Sequence, residues 1–167
     1  MRYTPAAAAL SLFFAISSSA VFASNDDPDP RARTLVTEGR ALLAAGDSQG
    51  AVDLFEAALV IDPAFSAVYV DLGNAARVDG LQGKAIHYYR EALERDPDNI
   101  AAIAGEGEAL AEKGSLDNAR ENLARLEELC GARCGETLQL AAAIERGPVA
   151  RVLTAEAIDP DAGVTAN

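Results

Sequence analysis

The side chains best equipped for chemistry are few. Cys130 and Cys134 are the only thiols in the 167-residue chain, and His87 is its single histidine. The cysteines stand four apart, so they lack the spacing of a thioredoxin-type redox pair, and no haem-attachment pattern surrounds them. In an exported chain such a pair joins. Gly131 and Gly135 beside them let the backbone leave a helix, which eases a bond that an ideal helical turn makes tight. Two free thiols, or a redox or metal role, are the alternatives. His87 has neither partner ligands nor a neighbouring nucleophile, so it reads as a surface residue, with Tyr88 and Arg90 completing a small patch on the outer face. Asp53, Glu56, Glu91, Glu94, Glu121, Glu127 and Glu128 read as a solvated acidic face. The run Asn25 to Asp29 lacks the spacing and closing glutamate of a calcium loop. No nucleophile, base and orienting group assemble, so the expectation is a non-enzyme with no metal and no cofactor.

Composition points the same way. Lys and Arg number 14 against 26 Asp and Glu, a formal charge of −12. Phosphate binding needs a basic footprint, so nucleic acid is excluded as an expected partner, and an anionic membrane surface is disfavoured. Ala and Leu dominate and Trp is absent, which favours helix over strand.

The first residues read as an address. Arg2 is the only charge before Asp26; the apolar run Ala6 to Ile16 leads through Ser17-Ser18-Ser19 to Val21-Phe22-Ala23. That is the layout of an export signal cleaved after Ala23. Its apolar centre is far below the roughly 20 residues that span a bilayer, so no membrane insertion is expected after cleavage. A periplasmic or secreted location follows. Residues 24–31 read as a disordered acidic linker and residues 148–167 as a mostly disordered tail.

Between them the chain repeats every 34 residues. Asp62-Pro63 returns as Asp96-Pro97. Gly39, Gly73 and Gly107 form one column, and Gly46, Gly80 and Gly114 a second. Ala51, Ala85 and Ala119 form a third; Phe55, Tyr89 and Leu123 a fourth; Leu35, Tyr69 and Ile103 a fifth. Each period holds two helical patterns, the first closed by the second glycine column and the second stopped at Asp-Pro. The mid-helix glycines, each costing about 1 kcal/mol against Ala, are explained by close approach of the neighbouring helix backbone. Glu136 to Arg146 follows as a capping helix, with Leu138, Leu140, Ala141, Ala142 and Ile144 as its apolar face.

This period and these columns resemble the tetratricopeptide repeat family. The middle unit, 66–99, matches best, at Tyr69, Leu72, Gly73, Gly80, Ala85, Tyr89, Ala92 and Pro97. Unit 32–65 departs at Glu38, and unit 100–133 departs at Glu106, Leu126 and Gly131. The resemblance implies an all-α fold, an α-solenoid of three helix pairs plus a C-terminal capping helix (136–146) in one domain, 32–147. It also implies a concave groove lined by the first helix of each pair. Carried over by position, the groove residues are Arg33, Val36, Arg40 and Leu43, then Val70, Asn74 and Arg77, then Ala104, Glu108 and Ala111. Arg33, Arg40, Asn74, Arg77 and Glu108 are the expected binding residues, with Arg33, Arg40 and Arg77 toward one end and Glu108 and Glu112 toward the other. Val36 and Val70 stand where some members carry the lysines that grip a carboxylate, which argues against that ligand. The expected function is a periplasmic adaptor or assembly factor holding a peptide or protein partner; the alternative is a structural subunit of an envelope complex that uses its convex face or its ends.

Overall fold

A computed structural model describes residues 27–148, so the expected export signal (1–23) and the tail from Val149 onward lie outside the described residues. Seven helices follow one another: α1 (Pro30–Ala44), α2 (Ser48–Ile61), α3 (Ala67–Val78), α4 (Gln82–Arg95), α5 (Ile100–Lys113), α6 (Leu116–Leu129) and α7 (Gly135–Arg146). Each begins and ends for local reasons. Asp29, Asp47 and Asn99 accept from the backbone N–H of Arg31, Gly50 and Ala102, capping α1, α2 and α5. Pro30 opens α1, where its missing N–H costs nothing. Gly46, Gly80 and Gly114, at φ of +89°, +72° and +93°, turn the chain between the two helices of each pair. Asp62 and Asp96 leave the helical region ahead of Pro63 and Pro97.

The acidic segment therefore ends earlier than expected. Asp29 is a cap, and Pro30 and Arg31 already belong to α1. Asp29 N–H also donates to Asp62 at 3.0 Å, tying the start of α1 to the end of α2.

The pairs α1–α2, α3–α4 and α5–α6 stack, and successive first helices touch: α1 on α3, α3 on α5, α5 on α7. Among the described residues the second helices α2, α4 and α6 make no such contacts with one another. A stack closed along one wall and splayed along the other is an α-solenoid with a concave inner surface.

Phe55, Val68 and Leu72 centre the first core cluster, Ile86, Tyr89 and Leu110 the second, and Ile103, Leu126 and Leu140 the third. The three alanines of the repeat column, Ala51, Ala85 and Ala119, are fully buried. The glycine column serves a different contact from the one expected. A methyl group on Gly39 would lie 2.5 Å from the Phe55 ring, and one on Gly73 2.6 Å from the Tyr89 ring. These glycines seat the large side chain of the partner helix rather than bare backbone. In the third unit Gly107 seats Leu140 of α7, not Leu123.

α7 continues the 34-residue period. Its buried residues Thr137, Leu140 and Ala143 stand where α5 places Ile103, Glu106 and Ala109. It is the first half of a further unit. Leu138, expected on its apolar face, is 56 % exposed: its equivalent in the preceding unit, Ala104, is covered by α7, and among the described residues no further first helix covers Leu138.

Candidate peptide groove

The concave wall is built from α1, α3, α5 and α7. Its centre is a shallow depression of about 220 Å³ lined by Val70, Asn74 and Arg77 of α3, Ala101, Ala104, Gly105 and Glu108 of α5, and Glu136 and Gln139 of α7. A second, of about 350 Å³, adjoins it at Glu108, Leu138, Gln139, Ala142 and Arg146.

Asn74 is held in place from the core. The buried Tyr89 donates its hydroxyl proton to Asn74 Oδ1 at 2.7 Å, which leaves Nδ2 without a partner among the described residues. Burial pushes the Tyr89 phenol up to about 12, partly offset by nearby Arg77, so this donor keeps its proton throughout the physiological range.

The groove cations are engaged within the protein. Arg40 reaches across from α1 and donates twice to Asp71 of α3, Nε to Oδ1 and Nη2 to Oδ2, both at 2.8 Å. Asp71 is buried, and that burial holds its carboxyl above the ordinary value, with Arg40 pulling the other way. Arg77 lies 2.6 Å from Glu108 and 3.0 Å from Glu112. Burial alone would lower its guanidinium, but the two carboxylates more than offset that. The expected polarity, cations at one end and acids at the other, is therefore absent: Arg77 is paired with the very acids it was set against. Reversing Arg40 and Arg77 would break these internal pairs rather than merely recolour a free surface.

Arg33 is exposed on α1 and makes no ion pair among the described residues. Val36 and Ala111 do not offer themselves to a ligand, being buried between neighbouring helices, and Ala104 shows only an edge at the central depression. Leu43 is half-buried against the first core cluster, and Val70 is half-buried at the rim of the central depression. The spacing missed Asp71, Glu136 and Gln139. Asp71 carried a readable signal, a carboxylate one repeat after a small polar residue, Thr37, and 31 residues after an arginine of the preceding first helix.

Elsewhere, Arg90 is not a free member of an outer patch: its Nε donates to Glu106 at 2.7 Å, and Asn122 donates to the same carboxylate at 3.2 Å. This explains Glu106, a glutamate buried where the second unit has Leu72. His87 is exposed, its ring 5.8 Å from that of Tyr88.

Cys130 ends α6 and Cys134 opens α7; their sulfurs are at disulfide distance with Cα atoms 5.7 Å apart. Gly131, at φ +93°, makes the turn between them. Thr137 donates to Gly131 O at 3.0 Å, and Glu136 Oε2 lies 3.0 Å from Cys134 Sγ. Cys130, Cys134 and Glu136 could offer three ligand atoms within 4.8 Å of one another, but sulfurs joined to each other present no thiolate to an ion.

Comparison with known proteins agrees with this architecture. The family model described as Tetratricopeptide repeat matches residues 36–100 and 70–132, together more than half of the chain. No curated protein matches the sequence. Among solved structures, the Sgt2 TPR domain from Aspergillus fumigatus is 25% identical, with a TM-score of 0.64 over 84% of this chain and 96% of that one. The first TPR of Spaghetti (RPAP3), bound to the HSP90 peptide SRMEEVD, is 18% identical, with a TM-score of 0.63 over 70% and 91%. The Yersinia enterocolitica type III secretion chaperone SycD, in complex with a peptide of the translocator YopD, is 24% identical, with a TM-score of 0.60 over 68% and 89%. With the period, the paired helices and the inner wall of first helices in hand, the chain belongs to the tetratricopeptide repeat family.

Proposed function

We propose that this protein is an exported, periplasmic adaptor or assembly factor that holds an extended peptide or partner segment against its concave wall and performs no chemistry of its own. The carrying observation is Asn74. Its side-chain carbonyl is fixed by Tyr89 from below, and its free amide N–H groups border a depression shared by three first helices. A preset amide suits a peptide backbone, which presents carbonyls at regular spacing. Peptide complexes of the similar structures support this reading.

A photo-crosslinking residue placed at Ala101, on the depression, is compared with one at Val60, which is 83 % exposed on α2. A partner captured from the native cell envelope at Ala101 and not at Val60 supports the groove. Capture at Val60 alone assigns the contact to the outer face and ends the groove reading. Sequencing the N-terminus of the exported protein tests the location; a chain that keeps Met1 in the cytoplasm overturns it.

A further inference from the structure

We infer that the groove selects a segment carrying a basic side chain, an inference that rests on the groove being the binding site. Three observations lead there. First, the inner-wall arginines nearest the central depression have no charge to spare. Arg40 is bidentate to Asp71, and Arg77 is shared between Glu108 and Glu112. An acidic ligand would have to displace a carboxylate already in place. Second, the acids are in surplus at that spot. Arg77 faces two carboxylates and can balance one, and Glu136 borders the same depression with no cation within ion-pair distance among the described residues. Of the remaining inner-wall cations, Arg33 stands apart at the start of α1, and Arg146, at the last turn of α7, lines the adjoining depression with Glu108 but is within ion-pair distance of no carboxylate among the described residues. Third, Asn74 supplies donors for backbone carbonyls beside these acids, so backbone and side chain of one segment are met together.

The geometry thus places an extended backbone on Asn74 and a lysine or arginine of the same segment between Glu108 and Glu136. The Glu108 carboxylate is mostly buried, so a cation reaching it leaves water behind and the pair is screened less than one on the open surface. The partner is a protein segment with a basic residue flanked by small or apolar side chains that fit over Ala101, Ala104 and Val70.

Fluorescence anisotropy of the exported chain with three labelled heptapeptides tests this. They share one length and one apolar pattern, and carry three Lys, three Gln or three Glu. At physiological ionic strength the Lys peptide is expected to bind at least about tenfold tighter than the Glu peptide. Glu108→Gln with Glu136→Gln is expected to weaken the Lys peptide by about three- to tenfold. Glu121→Gln with Glu127→Gln removes the same charge from exposed positions on α6 and is expected to change affinity less than about twofold. Asn74→Ala is expected to weaken whichever peptide binds, whatever its charge.

Tighter binding of the Glu or Gln peptide, still lost in Asn74→Ala, overturns the basic preference and leaves the groove reading standing. An equal loss in the α6 variant also overturns it, since attraction to the net charge would then suffice. If no peptide binds, or binding ignores Asn74→Ala, the groove reading and the inference fall together.

Discussion

Tyr89 is the side chain on which the second unit depends, and Gly73→Ala probes it directly. The added methyl carbon would sit 2.6 Å from ring atom Cε1 and 2.8 Å from Cδ1 and Cζ. Carbon atoms in contact prefer about 3.5–4.0 Å, so the ring would have to move by about 1 Å. It has nowhere to go, because a methyl group on Gly105 would lie 2.4 Å from the same ring. Overpacking of this kind costs about 1–3 kcal/mol, against a gain of about 1 kcal/mol for replacing a mid-helix glycine. The net expectation is a loss of up to about 2 kcal/mol. With Tyr89→Leu in the background, the ring is gone and Gly73→Ala should turn stabilising. Urea unfolding followed by helical circular dichroism, on the two single variants, the double and the parent, gives the coupling. Gly83→Ala serves as control, since nothing lies within 4 Å of the added carbon. A raised urea midpoint for Gly73→Ala in the parent, or the same penalty with and without the ring, refutes the reasoning.

Further outcomes follow from the same packing and pairing. Ala85 is fully buried, so Ala85→Leu should cost about 1–3 kcal/mol; a parental melting temperature would place the repeat register elsewhere. Arg40→Ala strands the buried Asp71 carboxylate and should cost about 1–3 kcal/mol, whereas Arg33→Ala should stay within about 0.5 kcal/mol; equal effects in urea melts would contradict the pairing. The Asp71 carboxyl is held up chiefly by burial, so the folded chain binds that proton more tightly than the unfolded one. Its contribution to stability should therefore fall as pH rises from about 4 toward the raised value and be level above it. Asp71→Asn should abolish that slope, and a parental pH profile in the variant would refute it. Reducing Cys130–Cys134 should lower stability by about 2 kcal/mol, from a closed loop of about five residues; an unchanged midpoint with reductant would show that the link holds nothing in place.

The fold was legible because its signals repeat. Three glycine turns, two Asp-Pro stops and three buried alanines recur at one spacing, and the structure uses each of them as the spacing implied. The groove was less legible for a physical reason. Position in the repeat tells which face a residue occupies, not what stands opposite on the next helix. Arg40 and Arg77 were placed on the right wall, but their carboxylate partners lie 31 to 35 residues away on the neighbouring first helix. Leu138 failed for a related reason: its burial depends on a further first helix, and none stands over it among the described residues. Glu136 was read only as the start of a cap, because nothing in its own sequence neighbourhood shows that α7 lies beside Asn74.

Tyr89 also governs how the molecule comes apart. It belongs to α4, yet its ring is clasped between Gly73 of α3 and Gly105 of α5, so it rivets two successive units as firmly as it fills one. The boundary between the first two units has no ring clasped between two glycines: Phe55 is seated on Gly39 of its own unit and meets the second unit through Val68 and Leu72, beside the half-exposed Arg40–Asp71 pair and the exposed Ser48–Asp79 hydrogen bond. In a stack whose stability is a sum of units and junctions, unequal junctions set the order of opening. The α1–α2 hairpin is expected to fray alone and α3 to α7 to exchange their amide protons as one cooperative block, which native-state hydrogen exchange would show.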